Sequence, residues 1–315
     1  MARLARINPI PSHTATYRRV QDEVTQSHPQ RERLYDEIEE HLKKDGREAV
    51  VVGFATSFSF PVIIEDRDAD ILEETLQNSN LTGKSLFLLL NSPGGDALAA
   101  ERIVNICKSY SDDGRFSVIV PKMAKSAATM ICFGAEAIGM SPTSELGPID
   151  PQIPIFDAEG HLIRYQAAHE IIESYQQLLD MASRTKRRIE PYLDQLARYD
   201  SREIRWMRSQ QQLSESVALR CLGSGCFQGM GARTIKSRIR PFLDPNYTKV
   251  HGRPIYRDVA QKAKLNVVSH DLRSSLWRAV WHLYVRLDHI LSTHAAKVIE
   301  TSKDSYIMGV GTHRP

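Results

Sequence analysis

Residues 86–136 read LFLLLNSPGGDALAAERIVNICKSYSDDGRFSVIVPKMAKSAATMICFGAE, and this stretch decides the fold. Leu86–Leu90 is a continuous apolar run of strand length. Ala97–Tyr110 carries apolar residues at helical spacing, Phe116–Val120 is a second strand, and Ala127–Glu136 is an apolar helix. Each strand runs into a short loop and each loop into a helix. Working outward, Ala49–Phe58 (AVVVGFATSF) reads as a further buried strand, Asp68–Asn78 as a helix and Ala137–Met140 as a short strand. Strand and helix therefore alternate three times. Strands that are apolar throughout have both sheet faces covered, so the expectation is an α/β layer of parallel strands with right-handed crossovers.

Three stretches of different character follow. Residues 1–47 are polar and charged, with Leu34, Ile38 and Leu42 at helical spacing and Gly46 as a stop. They read as a helical N-terminal arm, facing solvent or a partner helix. Residues 48–157 hold the alternating core. Residues 158–315 are mostly helical by pattern, with helices expected over His169–Ser183, Ile189–Ser209 and Asp271–Ile299, a glycine-rich loop at Leu222–Arg233 and a closing strand at Ser305–Val310. The spacing of Trp277, Trp281 and Tyr284 marks an apolar stripe, for packing or for an oligomer surface.

Composition narrows the function classes. The 315 residues are 42% hydrophobic and 25% charged, ordinary values for a globular protein and enough chain to bury a core without staples. The 41 Lys and Arg against 38 Asp and Glu give a net charge of +3, a near-balance that leaves no expectation of a nucleic-acid partner. Cys107, Cys132, Cys221 and Cys226 are scattered, with no CxxC and no zinc-ligand spacing. No metal is expected, and a reducing compartment fits. The first 25 residues lack the apolar core of a signal peptide. The apolar runs Ser117–Pro121 and Ala127–Gly134 fall far short of the roughly 20 residues a spanning helix needs. A soluble, cytoplasmic protein without a membrane span is the expectation.

Two loops carry the candidate chemistry. The first is Asn91-Ser92-Pro93-Gly94-Gly95-Asp96, after the LFLLL strand. Its glycines permit a sharp turn that exposes backbone N–H groups, an anion-binding surface at a strand end. It has no Walker lysine and is not GxGxxG, so it supports a nucleotide only weakly. The second loop, Pro121–Ala128, places Ser126 at a helix N-terminus, where serine is a preferred cap. Parallel neighbours put such loops side by side. Ser126 then faces the glycine amides, and the N–H groups of Gly95 and Ala127 converge on one oxygen, as an oxyanion hole beside a nucleophile does.

NSPGGDALAAERI, KSAATMICFGAEAIGM and SPTSELGPIDPQI, in that order, resemble the Clp-fold serine peptidases. Within them the sequence is most similar to the SDH-type (serine dehydrogenase proteinase) branch, related to signal peptide peptidase A and the Clp proteolytic subunit. The resemblance spans Ala49–Ile155, with a weaker echo at His251–Val268, a segment that returns the chain to the core. It implies a ClpP/crotonase-like spiral of ββα units with added N- and C-terminal helices. It also implies Ser126 as nucleophile, the Gly95 and Ala127 amides as oxyanion hole, Gly94 against the substrate, and no cofactor. A homo-oligomer acting on peptide or protein substrates is implied as well, its helical parts serving assembly and gating.

A serine needs a base within hydrogen-bond reach. The Clp subunits take a histidine from the segment after the serine's helix, and Ser144–Asp150 has none. The signal peptide peptidase branch takes a lysine further along, and none lies between Lys125 and Lys186. The candidates are His251 in the returning segment, Lys125 and Lys122 beside the serine, Lys186 on a charged helix, and His169. Asp150 orients a base, binds the substrate amine or caps the GPIDP turn. Three readings stay open: a serine peptidase, a non-catalytic scaffold that kept the fold, and a crotonase-like acyl-CoA enzyme.

Overall fold

A computed structural model of the protein describes residues 28–43, 48–157, 159–185, 188–248 and 250–309. In chain order the elements are α1 (Pro29–Leu42), β1 (Ala49–Thr56), α2 (Asp66–Gln77), β2 (Ser85–Asn91), α3 (Ala97–Tyr110), β3 (Phe116–Val120), β4 (Met123–Ala124), α4 (Ala127–Gly134), β5 (Ala137–Met140), β6 (Glu145–Leu146), β7 (Gln152–Phe156) and β8 (Leu162–Ala167). There follow α5 (Ala168–Arg184), α6 (Glu190–Leu196), α7 (Ser201–Ser224), α8 (Ala232–Arg238), α9 (Arg240–Leu243), α10 (Pro245–Thr248), β9 (Ile255–Tyr256), α11 (Arg257–Lys262), β10 (Val267–Ser269), α12 (Ser275–Thr293), β11 (Ala295–Glu300) and β12 (Ser305–Gly309).

Among the described residues, seven strands form the central sheet in the order β10-β5-β3-β2-β1-β11-β12. The five from β10 to β1 are parallel, and β11 and β12 are added antiparallel. Successive side chains of a strand point to opposite faces, and both faces here are apolar. Val50, Val52 and Phe54 of β1 with Leu86, Leu88 and Leu90 of β2 pack under α2, α3, α4 and α7. Val51, Ala55, Leu89 and Ile119 pack on the other face against Tyr35 and Ile38 of α1 and Trp277, Val280, Leu283 and Leu287 of α12. This two-sided burial is why the strands read as unbroken apolar runs.

Two buried ion pairs fasten the chain's ends to the sheet. The Arg31 guanidinium of α1 donates through Nε and Nη2, each at 2.8 Å, to the two oxygens of Glu300 on β11. Both side chains are almost wholly buried, and the hydroxyls of Tyr35 and Ser305 also donate to Glu300. Lys297 of β11 reaches Asp68 and Glu65 at the start of α2, each at 2.9 Å.

Several elements differ from the sequence reading. The helix expected over Asp271–Ile299 stops at Thr293, and Ala295–Glu300 is a fully buried strand antiparallel to β1. Ala295, Val298 and Ile299 match the i, i+3, i+4 spacing of a helix, but the free edge of β1 takes them as a strand. The helix expected over Ile189–Ser209 is two helices. The break ends at Asp200, whose side chain caps α7 by accepting from the Arg202 amide. The glycine-rich stretch Leu222–Arg233 is helical through Ser224. The hairpin of β7 and β8 is an element the sequence pattern did not suggest, and it holds Pro154 inside β7. In α1, Tyr35 and Ile38 are fully buried rather than facing solvent, for α1 is needed to cover the sheet's second face. Gly46 and Lys186 lie outside the described residues. Among the described residues no helix is long and apolar enough to cross a membrane.

Candidate active site

The loops after β2 and β3 leave the same end of the parallel sheet and are stitched together. The Ser92 amide donates to the Met123 carbonyl at 3.1 Å, and the Lys125 amide to the Ser92 carbonyl at 3.0 Å. Gly94 has φ +101°, a conformation open to glycine and strained for other residues. A Cβ there would stand 2.5 Å from the Lys125 carbonyl oxygen, 2.8 Å from the Ser126 Cβ and 3.0 Å from the Ala127 nitrogen. A Cβ on Gly95 would meet the backbone N and O of Ile64 at 2.3 Å. The first loop therefore lies directly on the second because Gly94 lacks a side chain, and against the Ile64 backbone because Gly95 does. Gly94→Ala is expected to lower any hydrolytic kcat at least tenfold by displacing the Ser126 turn, with circular dichroism unchanged. Wild-type kcat in that variant would show the close approach to be dispensable.

Ser126 stands at the N-cap position of α4, yet it does not cap. Its φ of +50° and ψ of −119° lie outside the usual cap region, and its side chain accepts from no helix amide. Among the described residues its hydroxyl makes no hydrogen bond, and the side chain is half-buried rather than sealed off. A non-glycine residue in such a region stores about 1–3 kcal/mol of strain, and strain of this kind gathers at functional sites. A sharp, strained turn from strand to helix with an uncommitted hydroxyl is the backbone geometry of a nucleophile elbow. The Ala128 and Met130 amides donate to the carbonyls of Lys125 and Ser126, and the Asp96 amide to that of Ile64. The Gly95 and Ala127 amides between them donate to no described residue.

A second, three-stranded sheet in the order β4-β6-β9 brings in the remaining groups. β4 runs parallel to β6 with Ala124 opposite Leu146, and β6 antiparallel to β9 with Leu146 opposite Ile255. Counting on from that row, Ser126, Asp150 and His251 all leave the sheet at one end. The count places Asp150 across from His251, and the side chains meet: His251 Nδ1 is 2.7 Å from Asp150 Oδ1. Asp150 Oδ2 accepts from Gln152 Nε2 at 3.0 Å and lies 3.6 Å from His169 Nδ1. The Asp150 side chain is 10% exposed and that of His251 23%. With Nδ1 donating to the carboxylate, Nε2 is the nitrogen left to accept a proton. Among the described residues Ser126 Oγ and His251 are not hydrogen-bonded to each other; such bonds are often long in the unliganded state of enzymes.

The lysines point elsewhere. Lys125 is buried, and its ammonium donates to Glu145 Oε2 at 2.7 Å and to the Leu146 carbonyl at 3.2 Å. It ties the elbow to β6, with its Cδ 2.7 Å from where a Gly147 Cβ would sit. Lys122 lies over the Tyr284 ring, 5.8 Å from its centroid. Burial pushes the Cys107, Cys221 and Cys226 thiols up to about 12 and that of Cys132 well up, which leaves them without thiolate character. Among the described residues no group of three His, Cys, Asp or Glu could hold a metal. Sequence reasoning singled out Asp150 and His251 separately and missed their pairing, because a contact between residues 101 apart is set by the β6–β9 register.

Residues 56–210 match the family described as ClpP-like SDH-type serine proteinases. Two uncharacterized proteins of Methanocaldococcus jannaschii are similar. One is 29% identical over 127 residues, covering 39% of this chain and 43% of that protein. The other is 39% identical over 75 residues, covering 24% and 26%. The chain thus spans less than half the length of these curated relatives. Solved structures of the 1510-N membrane-bound stomatin-specific protease are also similar, at 15% identity. One gives a TM-score of 0.41 over 71% of this chain and 80% of that one. The other, in complex with a substrate peptide, gives 0.30 over 76% and 96%. Over residues 56–210, which hold the turn at Ser126, the chain is thus similar to the ClpP-like SDH-type serine proteinases, a family of serine peptidases.

Proposed function

We propose that the chain is a serine endopeptidase in which Ser126 is the nucleophile, His251 the general base and Asp150 the residue that orients it. The observation that carries this reading is the strained, uncapped Ser126 at the same end of the small sheet as the 2.7 Å Asp150–His251 pair. His251 Nε2 takes the hydroxyl proton as Ser126 Oγ adds to the peptide carbonyl carbon. The Gly95 and Ala127 amides hold the resulting oxyanion, where one such donor is worth roughly 10²–10³ in kcat. The tetrahedral adduct collapses to an acyl-enzyme as His251 returns the proton to the leaving amine. Water, deprotonated by the same imidazole, then releases the acid. Gly94, packed against the Ser126 turn, is the proposed neighbour of the substrate backbone. No step needs a cofactor.

Copies of the chain are also proposed to associate, on the strength of the apolar Phe156, Ile163 and Tyr165 exposed on the β7–β8 hairpin. The test of the activity is incubation with an unfolded polypeptide such as fluorescein-labelled casein, beside Ser126→Ala. The wild type is expected to release peptides, and Ser126→Ala to release none while keeping its melting temperature. Cleavage by Ser126→Ala would refute the reading. An inert but folded wild type would favour the scaffold.

A further inference from the structure

Beyond the Ser126–His251–Asp150 set stands a second imidazole with no evident employment. His169, in the first turn of α5, has an Nδ1 that is buried and makes no hydrogen bond. That atom lies 3.6 Å from Asp150 Oδ2, the carboxylate oxygen other than the one His251 contacts. A buried ring nitrogen without a hydrogen-bond partner is destabilising, so its position calls for a reason. The start of α5 is fixed beside Asp150 by the Ala168 amide, which donates to the Pro151 carbonyl at 2.9 Å.

We propose that His169 is a positioning residue of the proposed serine peptidase site, closing on the outer oxygen of Asp150 so that the inner oxygen stays aimed at His251. The inference rests on the assignment of His251 as base. In the resting arrangement Gln152 is, among the described residues, the donor to Oδ2. During acyl transfer His251 becomes an imidazolium and pulls harder on Asp150. A small side-chain movement turns the 3.6 Å contact into a hydrogen bond from His169 Nδ1–H, and the carboxylate is then held from both sides. His169 itself acts only through Asp150.

The test uses the full chain and two readouts: the rate constant for labelling of Ser126 by a fluorophosphonate, and the far-downfield proton NMR signal of the His251 imidazole. His169→Phe keeps the ring volume without the donor, His169→Leu is a smaller apolar substitute should the first not fold, and His169→Asn returns a donor near Nδ1. Either apolar variant is expected to label about 10–100-fold more slowly, the range typical for loss of an outer-shell orienting partner, and to broaden the NMR signal. His169→Asn is expected to restore labelling to within about threefold. Wild-type labelling in the apolar variants overturns the proposal, as does equal slowing in His169→Asn. Undiminished labelling in His251→Ala would instead remove the assignment of the base, a result separable from the first two.

Discussion

His251→Ala is expected to lower kcat on an unfolded polypeptide by about 10⁴–10⁶-fold, the range seen when the histidine of a serine triad is removed. Asp150→Asn is expected to lose about 10⁴-fold, because the amide would present a donor to Nδ1 and favour the wrong tautomer. Both variants should keep the wild-type melting temperature to within a few degrees, since the pair lies outside the apolar clusters of the core. The comparison that decides the assignment is Lys125→Met. Lys125 flanks the nucleophile in sequence, but its ammonium is committed to Glu145 and the Leu146 carbonyl. Its loss should destabilise the elbow by stranding Glu145, and lower kcat far less than loss of His251 does. Steady-state kinetics on the three variants checks this. A dead Lys125→Met beside an active His251→Ala would transfer the role of base to the lysine.

The second large effect is on stability and lies far from the site. Arg31→Met should destabilise the protein by about 3–5 kcal/mol, because Glu300 would remain buried without its counter-charge. Arg31 is 3% exposed and Glu300 0%, so water cannot replace the guanidinium. The double replacement Arg31→Met with Glu300→Leu should recover most of that loss, since an apolar pair of similar volume is often neutral against a buried ion pair. Urea unfolding midpoints with unchanged slopes would report both changes. The expectation fails if the single variant is as stable as wild type. The consequence is architectural: α1 and β11, from opposite ends of the chain, are locked together across the sheet, so residues 29–42 are part of the fold that carries the site.

The comparison of sequence and structure divides along the range of the interactions involved. The strands at Leu86–Leu90 and Phe116–Val120 and the helix at Ala97–Tyr110 were legible because burial on both faces writes an unbroken apolar run and amphipathic packing a 3.6-residue period. The loops at Gly94 and Ser126 were legible for the same local reason, since each punctuates a strand end. What escaped depends on distant partners. Ala295–Glu300 has a helix-like pattern and becomes a strand only because β1 offers it an edge. Ser126 reads as a cap from its position, and only its φ of +50° and uncommitted hydroxyl separate it from one. Asp150 and His251 carry no local signal of their pairing. It follows from the register Leu146 opposite Ile255, which no short-range pattern encodes.

The central claim is that Ser126 is an activated nucleophile. Fluorophosphonate labelling of the purified wild-type protein, beside Ser126→Ala and His251→Ala, tests it most directly. One adduct per chain, mapped by mass spectrometry to Ser126, is the predicted result for the wild type. Ser126→Ala should take up none, and His251→Ala should react only very slowly. A folded wild type that takes up no label, or an adduct that persists in Ser126→Ala, would contradict the account.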